Sequence, residues 1–236
     1  MQKRHGTLVL VRHGESRFNT LNLFTGWIDV PLSMVGIEEA QHVAKHCKQF
    51  DYDAAYTSYL ERAQETLLVI LSKQKKIGVF QHERDTRYTI SPSASTEFEI
   101  KPLPIFTSRN LNERAYGILQ GMNKNTAVKK YGKKKVRAWR RGFCEQPPKG
   151  ESLKNVFKRV IVYFEKNIHP RIVRGESVLI VAHGNTLRAI IKFLEKIDDT
   201  KISFIDLPFA HPLTYTYMND QFIRVDGTYT LRRPLR

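Results

Sequence analysis

Two similar stretches near opposite ends of the chain constrain the fold most. Residues 8–16 read LVLVRHGES and residues 177–185 read SVLIVAHGN, so each is a short apolar run that ends in a histidine and a glycine. Apolar runs of this length with β-branched residues predict buried strands. Open α/β sheets bind ligands at the carboxyl ends of their parallel strands. We therefore expect the two histidines, His13 and His183, to meet over one pocket.

The residue types at these strand ends favour phosphoryl chemistry. Imidazole can act as a nucleophile, and a guanidinium such as that of Arg12 can bind phosphate through two hydrogen bonds. A glycine after each histidine lets backbone amides approach an anion closely. The eight histidines show none of the spacings typical of metal sites, so no metal is predicted. The sequence thus indicates a phosphohistidine enzyme.

Apolar periodicity predicts helices and strands in alternation. Apolar residues fall at helical spacing over 40–47, 156–164 and 187–194, and short apolar strands are predicted at 7–11, 54–57 and 178–182. A final antiparallel hairpin is predicted from 213–218 and 222–226. This order is typical of an α/β protein with a mainly parallel central sheet flanked by helices in three layers.

Length and composition favour one cytoplasmic domain. The chain has 236 residues, 41% of them hydrophobic, which is enough for a single domain over residues 1–236. Residues 75–100 have the composition of a surface insertion. Two cysteines make a disulfide framework improbable, and no apolar run suggests a membrane span or a signal peptide. We therefore expect a cytoplasmic protein that needs no membrane.

The formal net charge of +16 is the unusual property of this composition. Nine basic residues and no acidic one occur between Lys124 and Arg141, among them Lys133, Lys134 and Lys135. Such a run can bind nucleic acid or an anionic membrane, attract phosphate esters, or form a solvated face. No stacking-aromatic or recognition-helix pattern accompanies the lysines. We favour the solvated face, with nucleic acid an improbable partner.

An ordered set of motifs extends over nearly the whole chain and identifies its family. In chain order these are LVRHGES at 10–16, FTGWIDVPLS at 24–33, YTS at 56–58, LNER at 111–114, QGMNK at 120–124, WRRGF at 139–143, ESL at 151–153 and AHGN at 182–185. Together they resemble the cofactor-dependent phosphoglycerate mutases of the histidine phosphatase superfamily.

The resemblance implies a fold, an activity and a site. The activity is interconversion of 3-phosphoglycerate and 2-phosphoglycerate by a glycolytic isomerase, primed by 2,3-bisphosphoglycerate and without a metal. His13 would carry the phosphoryl group, Glu113 would transfer the proton, and Arg12, Arg62 and His183 would hold the phosphoryl oxygens. The residues implied to bind the rest of the substrate are Ser16, Asn19, Thr25, Gly26, Tyr116, Lys124, Arg140, Arg141, Gly184 and Asn185.

Departures from the family pattern leave alternatives open. Ala115 stands where many members have histidine, and the chain ends soon after its last predicted strand, where many mutases carry a tail that closes over the pocket. A phosphatase or a bisphosphoglycerate mutase using the same His13 is one alternative. Ser16 and Thr25-Gly26 favour the phosphoglycerate mutase over the second of these. A basic nucleic-acid-binding scaffold on an inactive fold is a further alternative, and a homo-oligomer is possible.

Overall fold

The computed structural model describes residues 5–81 and 102–231 of the chain. Its strands are β1 (Gly6–Arg12), β2 (Ala54–Thr57), β3 (Ile77–Gln81), β4 (Pro102–Thr107), β5 (Ser177–Ala182), β6 (Ile205–Asp206), β7 (Pro212–Met218), β8 (Gln221–Asp226) and β9 (Thr230–Leu231). Its helices are α1 (Arg17–Thr20), α2 (Met34–Cys47), α3 (Glu61–Leu71), α4 (Lys124–Tyr131), α5 (Lys133–Arg141), α6 (Leu153–Tyr163), α7 (His169–Val173) and α8 (Gly184–Leu194).

Seven strands form one mixed sheet in the order β3-β4-β2-β5-β1-β7-β8. The pairs from β3 to β1 are parallel, whereas β7 is antiparallel to β1 and to β8. Strands β1 and β5 pair in register from Thr7 opposite Ser177 to Arg12 opposite Ala182. The two strands therefore end side by side, which brings the histidines that follow them to one edge of the sheet.

Helices cover both faces of this sheet. Side chains of a strand alternate between faces, and in β1 Leu8 and Leu10 pack with α6 and α8, while Val9 and Val11 pack with α2 and α3. The central strands β1, β2 and β5 are buried on both sides, which explains their almost continuous apolar sequence. These observations confirm the predicted fold class, a mainly parallel sheet between two helical layers.

The predicted helices begin at side-chain caps or directly at a strand end. The hydroxyl of Ser33 accepts from the Gly36 amide at the start of α2, and Ser152 with Asn155 forms a capping box at the start of α6. Helix α8 begins at Gly184, immediately after β5 and His183. Within the described residues, no helix is long and apolar enough to cross a membrane.

The predicted hairpin is present as β7 and β8, joined through Asn219 and Asp220. Both turn residues have positive φ, 51° and 58°, as a two-residue hairpin turn of this hand requires. Strands β3 and β4 were not predicted. Strand β3 lies within residues 75–100, the expected surface insertion, and residues 82–101 lie outside the described part of the chain. The single domain over 1–236 stays a prediction.

A small satellite core lies apart from the two apolar clusters that cover the sheet. Its buried members are Phe24, Leu119, Ala127, Val136 and Trp139. Helices α4 and α5 contribute the last three, so the cluster fixes the helices that carry Lys124, Arg140 and Arg141. The three consecutive lysines at the start of α5 are exposed, in agreement with the predicted solvated face.

Candidate active site

His13 occupies the carboxyl end of β1 in a polar cavity of about 130 Å³. The side chain is buried, and its Nδ1 lies 2.6 Å from the carbonyl oxygen of Gly14. Because a carbonyl only accepts hydrogen bonds, Nδ1 carries the proton and Nε2 keeps a lone pair. Burial, together with the cations Arg62 and Arg12, lowers the pKa of His13 well below 6.5. The ring is therefore a neutral nucleophile at neutral pH.

Two guanidinium groups, one partly buried and one fully buried, act on His13 and line the same cavity. Arg12 donates from one terminal nitrogen to the Leu207 carbonyl at 2.5 Å, and its Cζ lies 3.8 Å from the ring centre of Phe209. Arg62 donates to the carbonyls of Gly26 at 2.9 Å and Ile28 at 3.2 Å. Burial lowers the pKa of Arg62 to about 10, so the group stays charged at neutral pH.

The Nε atoms of both guanidinium groups are buried and have no hydrogen-bond partner among the described residues. The hydroxyl of Thr25, which also lines the cavity, is in the same situation. A buried donor without a partner is costly, and an oxyanion in the cavity can accept from it. The His13 end of the cavity is thus suited to a phosphoryl group.

His183 lies behind His13 at the end of β5, and the two ring centres are 5.0 Å apart. Its Nε2 is 2.7 Å from the hydroxyl of Ser58, which also accepts from the Leu60 amide at 3.1 Å. Burial and the nearby Arg62 lower the pKa of His183 well below 6.5. If Ser58 donates its proton to Nε2, the neutral ring is protonated at Nδ1, a buried atom without a partner among the described residues.

Glu113 supplies a carboxylate to the same cavity. Its Oε1 accepts from the Arg114 amide at 2.6 Å and from the side-chain amide of Asn185 at 2.8 Å. A Cβ built on Gly184 would lie 3.6 Å from the Nε of Arg12 and 3.9 Å from the Oε2 of Glu113. The start of α8 therefore brings Arg12, Glu113 and Asn185 together.

The loop that carries Glu113 is held by Arg159 of α6. One terminal nitrogen of Arg159 donates to the carbonyls of Asn110 at 2.6 Å and Asn112 at 3.0 Å, and the other donates to the carbonyl of Glu113 at 2.9 Å. Arg159 also forms two hydrogen bonds with the carboxylate of Glu151, at 2.8 and 3.0 Å. These contacts fix the backbone of the loop on the sheet side of the cavity.

Comparison with known proteins places this geometry in a family. The model of the histidine phosphatase superfamily (branch 1) matches residues 8–85 and 86–224. The chain belongs to the histidine phosphatase superfamily. It is 43% identical to a 2,3-bisphosphoglycerate-dependent phosphoglycerate mutase of Methanosarcina acetivorans, over 92% of this chain and 94% of that protein. It is 40% identical to a protein of the same name from Chlamydia pneumoniae, over 90% and 94% of the two chains.

Solved structures share the histidine phosphatase fold with this chain. The α-ribazole phosphatase of Shigella flexneri superposes with a TM-score of 0.71 at 21% identity, over 98% of this chain and 99% of that one. A mycobacterial glucosyl-3-phosphoglycerate phosphatase gives a TM-score of 0.70 at 19% identity, over 93% and 97% of the two chains. At these identities the likeness concerns the fold alone.

The cavity brings together most of the residues expected from the histidine phosphatase motifs. Those that line it are Arg12, His13, Asn19, Thr25, Gly26, Arg62, Glu113, Tyr116, Lys124, Arg140, Arg141, Gly184 and Asn185. His183 lies behind His13 and does not line the cavity. Ser16 is fully buried, and its hydroxyl and amide both donate to the Oδ1 of Asn19. Ser16 thus orients Asn19, whose Nδ2 remains the donor available to a ligand.

The backbone amide of Gly14 is not available to an anion, contrary to the expectation from the sequence. Its amide donates to the Thr66 hydroxyl at 3.1 Å, and a Cβ at this position would lie 2.3 Å from the Gly36 carbonyl oxygen. The glycine therefore permits close packing of α2 rather than approach of the amide to an anion. The helix after it, α1, has only four residues and begins at Arg17.

Several residues at the site were not predicted from sequence. Leu23, Phe24, Arg188, Asp206 and Leu207 also line the cavity. Arg188 donates to the Oδ1 of Asn185 at 3.0 Å, so it orients a predicted residue. Arg188 was not among the predicted site residues, and no motif marked the segment 205–209. That segment reaches the site through the fold, because it lies far from His13 along the chain.

Proposed function

We propose that this protein interconverts 3-phosphoglycerate and 2-phosphoglycerate by phosphoryl transfer through His13, primed by 2,3-bisphosphoglycerate. One observation carries the proposal: a neutral, buried imidazole lines a cavity that is also lined by a carboxylate and by several basic side chains. Relatives about 40% identical over most of this chain bear the name 2,3-bisphosphoglycerate-dependent phosphoglycerate mutase. Such an enzyme needs a nucleophile, a proton carrier and receptors for more than one anion.

His13 would act as the nucleophile in both half-reactions. The Nε2 lone pair attacks the phosphorus of a bound bisphosphate, the bond from phosphorus to the leaving oxygen breaks, and a phosphohistidine remains. The phosphoryl transition state is stabilised mainly by position and opposite charge. The Nε donors of Arg12 and Arg62, which line the cavity, are available for this task. His183 does not line the cavity, but its ring lies against that of His13, and its unpartnered Nδ1 would donate to the phosphoryl group once that group is bound to His13.

Glu113 would move the proton. During transfer from His13 to a monophosphate it accepts the proton of the attacking hydroxyl, and during the reverse step it returns a proton to the leaving oxygen. Its Oε1 is fixed by the Arg114 amide and by Asn185. The second oxygen lies beside Gly184 and accepts from the Asn185 amide at 3.5 Å.

The other end of the cavity would bind the remaining anionic groups. Lys124, Arg140 and Arg141 line this part of the wall and come from the helices on the satellite core. Burial and the nearby Arg140 lower the pKa of Lys124 to about 8, so the ammonium still carries its charge in most molecules at neutral pH. A carboxylate and a second phosphoryl group match such a set.

The decisive experiment combines labelling with a coupled assay. We expect incubation with 2,3-bisphosphoglycerate to place an acid-labile phosphate on His13, located by mass spectrometry, and enolase-coupled turnover of 3-phosphoglycerate to require this primer and to persist with EDTA. His13→Asn should abolish both the label and turnover. His42→Asn, on the exposed side of α2, is the matched control and should retain both.

Each other outcome contradicts a defined part of the proposal. Label on His183 with none on His13 would reverse the assignment of the nucleophile. Release of inorganic phosphate from 3-phosphoglycerate faster than formation of 2-phosphoglycerate would make the protein a phosphatase with the same nucleophile. A cytoplasmic location and the oligomeric state stay predictions, which cell fractionation and light scattering would test.

A further inference from the structure

Asp206 places a second carboxylate in a cavity that is otherwise rich in cations. It lies in β6, lines the cavity, and has a side chain that is 26% exposed. Its Oδ1 is 3.0 Å from the terminal nitrogen of Arg141. The mechanism proposed above uses Glu113 as its carboxylate and gives Asp206 no part. A carboxylate in an anion-binding cavity therefore needs a different explanation.

The backbone holds Asp206 firmly in this position. Strand β6 pairs with β9, with Asp206 opposite Thr230. The carbonyl of Ile205 accepts from Arg141 at 3.4 Å, and the carbonyl of Leu207 accepts from Arg12 at 2.5 Å. The segment 205–207 thus contacts two guanidinium groups that line the cavity, those of Arg12 and Arg141. Its geometry makes the pairing of Asp206 with Arg141 a built feature of the wall.

The charge of Asp206 changes what Arg141 can do for a ligand. A carboxylate 3.0 Å away cancels much of the field of the guanidinium at any point farther off, and it repels an approaching anion. The repulsion grows with the charge of the ligand, so a dianionic phosphoryl group is opposed more strongly than a hydroxyl or a carboxylate. The effect persists in salt because the pair is partly buried.

We propose that Asp206 is a specificity-determining residue that limits the anionic charge the cavity accepts and weakens binding of bisphosphorylated ligands relative to monophosphorylated ones. In a phosphoglycerate mutase, Asp206 would also set how readily the priming bisphosphate leaves the enzyme. This second statement rests on the proposed function, whereas the charge selectivity does not. A cavity without this carboxylate would retain the bisphosphate and need less of it in solution.

The test uses ligands that cannot react, so it does not depend on mutase activity. Propylphosphonate and propane-1,3-bisphosphonate differ by one phosphonate group. Because the C–P bond does not break, neither ligand can transfer its phosphonate group to His13. We expect Asp206→Asn to tighten binding of the bisphosphonate, measured by calorimetry, about tenfold, and that of the monophosphonate about twofold or less. Asp206→Ser should give the same selectivity and guards against an effect peculiar to asparagine.

Asp220→Asn is the matched control, since it makes the same charge change in the β7–β8 turn at the opposite end of the sheet. It should leave both affinities unchanged. Equal tightening of both ligands by Asp206→Asn, or no tightening of either, would overturn the proposal. Selective tightening in a protein without mutase turnover would uphold the role of Asp206 and overturn the proposed function instead.

In the enolase-coupled assay, Asp206→Asn should lower the concentration of 2,3-bisphosphoglycerate needed for half-maximal priming about tenfold. The KM for 3-phosphoglycerate should change by about threefold or less, because only the bisphosphate carries a second dianionic group for Asp206 to repel. A fall in the KM alone, with priming unchanged, would contradict the inference.

Discussion

Each of the two histidines is held by a single neighbour that decides which nitrogen can react. The Gly14 carbonyl occupies the Nδ1 of His13, and the Ser58 hydroxyl occupies the Nε2 of His183. The rings are chemically identical, yet their partners leave opposite nitrogens available. With Ser58 as the donor to His183, the site separates a nucleophile from a hydrogen-bond donor without any difference in residue type.

We expect the carboxylate of Glu113 to be required for turnover. Glu113→Gln keeps the side-chain size and the contact with the Arg114 amide, but it removes the group that exchanges a proton. We expect kcat for 3-phosphoglycerate to fall about 100-fold or more in the enolase-coupled assay, since general acid–base catalysis contributes at least this much.

The variant should still fold, and Glu38→Gln on the exposed face of α2 serves as its control. Turnover close to that of the parent would mean that another group carries the proton. A large drop in melting temperature of the Glu113 variant alone would point to a structural role for this carboxylate.

The loop that carries Glu113 depends on helix α6 for its position. Arg159 donates to three backbone carbonyls of that loop and to the Glu151 carboxylate, which also accepts from the Ala115 amide at 2.8 Å. The indole of Trp27 also donates to the Glu113 carbonyl, at 2.5 Å. The carboxylate is therefore positioned by backbone contacts on both sides of its own residue.

Arg159→Lys tests this positioning role. An ammonium group cannot reproduce the planar set of five donors, so the loop should lose its alignment while the substrate receptors stay in place. We expect kcat to fall about tenfold with a change of about twofold or less in KM, because displacement of a proton carrier affects the transition state more than binding.

Lys158→Gln, on the exposed side of α6, is the control. The rate of His13 labelling by the primer gives a second readout, and it should fall together with kcat. A rise in KM without loss of kcat would show that Arg159 acts on substrate binding instead.

The elements differ in how far the sequence predicts them. Strands β1, β2 and β5 follow from apolar runs, because those residues are buried. The hairpin follows from two short strand-like segments around a polar turn, although its outer strand β8 is mostly exposed. Strand β4 contains Pro102 and Pro104, which argue against a strand inside a sheet, yet it lies between β3 and β2. The two-residue strands β6 and β9 are too short to show any period.

The same limits apply to the site. Residues that carry a motif, such as His13, Arg62 and Glu113, were placed near one another from the sequence, and they do line one cavity. Asp206 was missed because its chemistry is opposite to that expected of an anion receptor and its segment carries no motif. Phe209 and Ser58 act through packing or through another side chain, which one sequence does not reveal.

The buried neutral histidines make the free energy of unfolding of the whole protein depend on pH. The folded protein keeps His13 and His183 neutral below 6.5, whereas the unfolded chain protonates them there. The unfolded state then binds more protons, so the free energy of unfolding must fall as pH decreases. Each histidine contributes up to about 1.4 kcal/mol per pH unit between about 6.5, where the unfolded chain protonates, and the lowered pKa of the folded ring.

Urea unfolding across this window measures the slope. We expect His13→Gln to reduce the dependence of the unfolding free energy on pH by about one proton, and His42→Gln, which replaces an exposed imidazole, to leave it unchanged. Equal slopes for the parent and the His13 variant would mean that the buried ring is protonated in the folded state.

The hydrogen bond between His13 and the Gly14 carbonyl also determines which chemical form a phosphorylated protein would take. Since the pros nitrogen of the ring is engaged by the backbone, phosphorylation can occur only at the tele nitrogen. The two isomers of phosphohistidine are distinct compounds that separate in amino-acid analysis and are recognised by different antibodies. A reagent raised against the pros isomer would not detect this modification, even in a fully loaded sample.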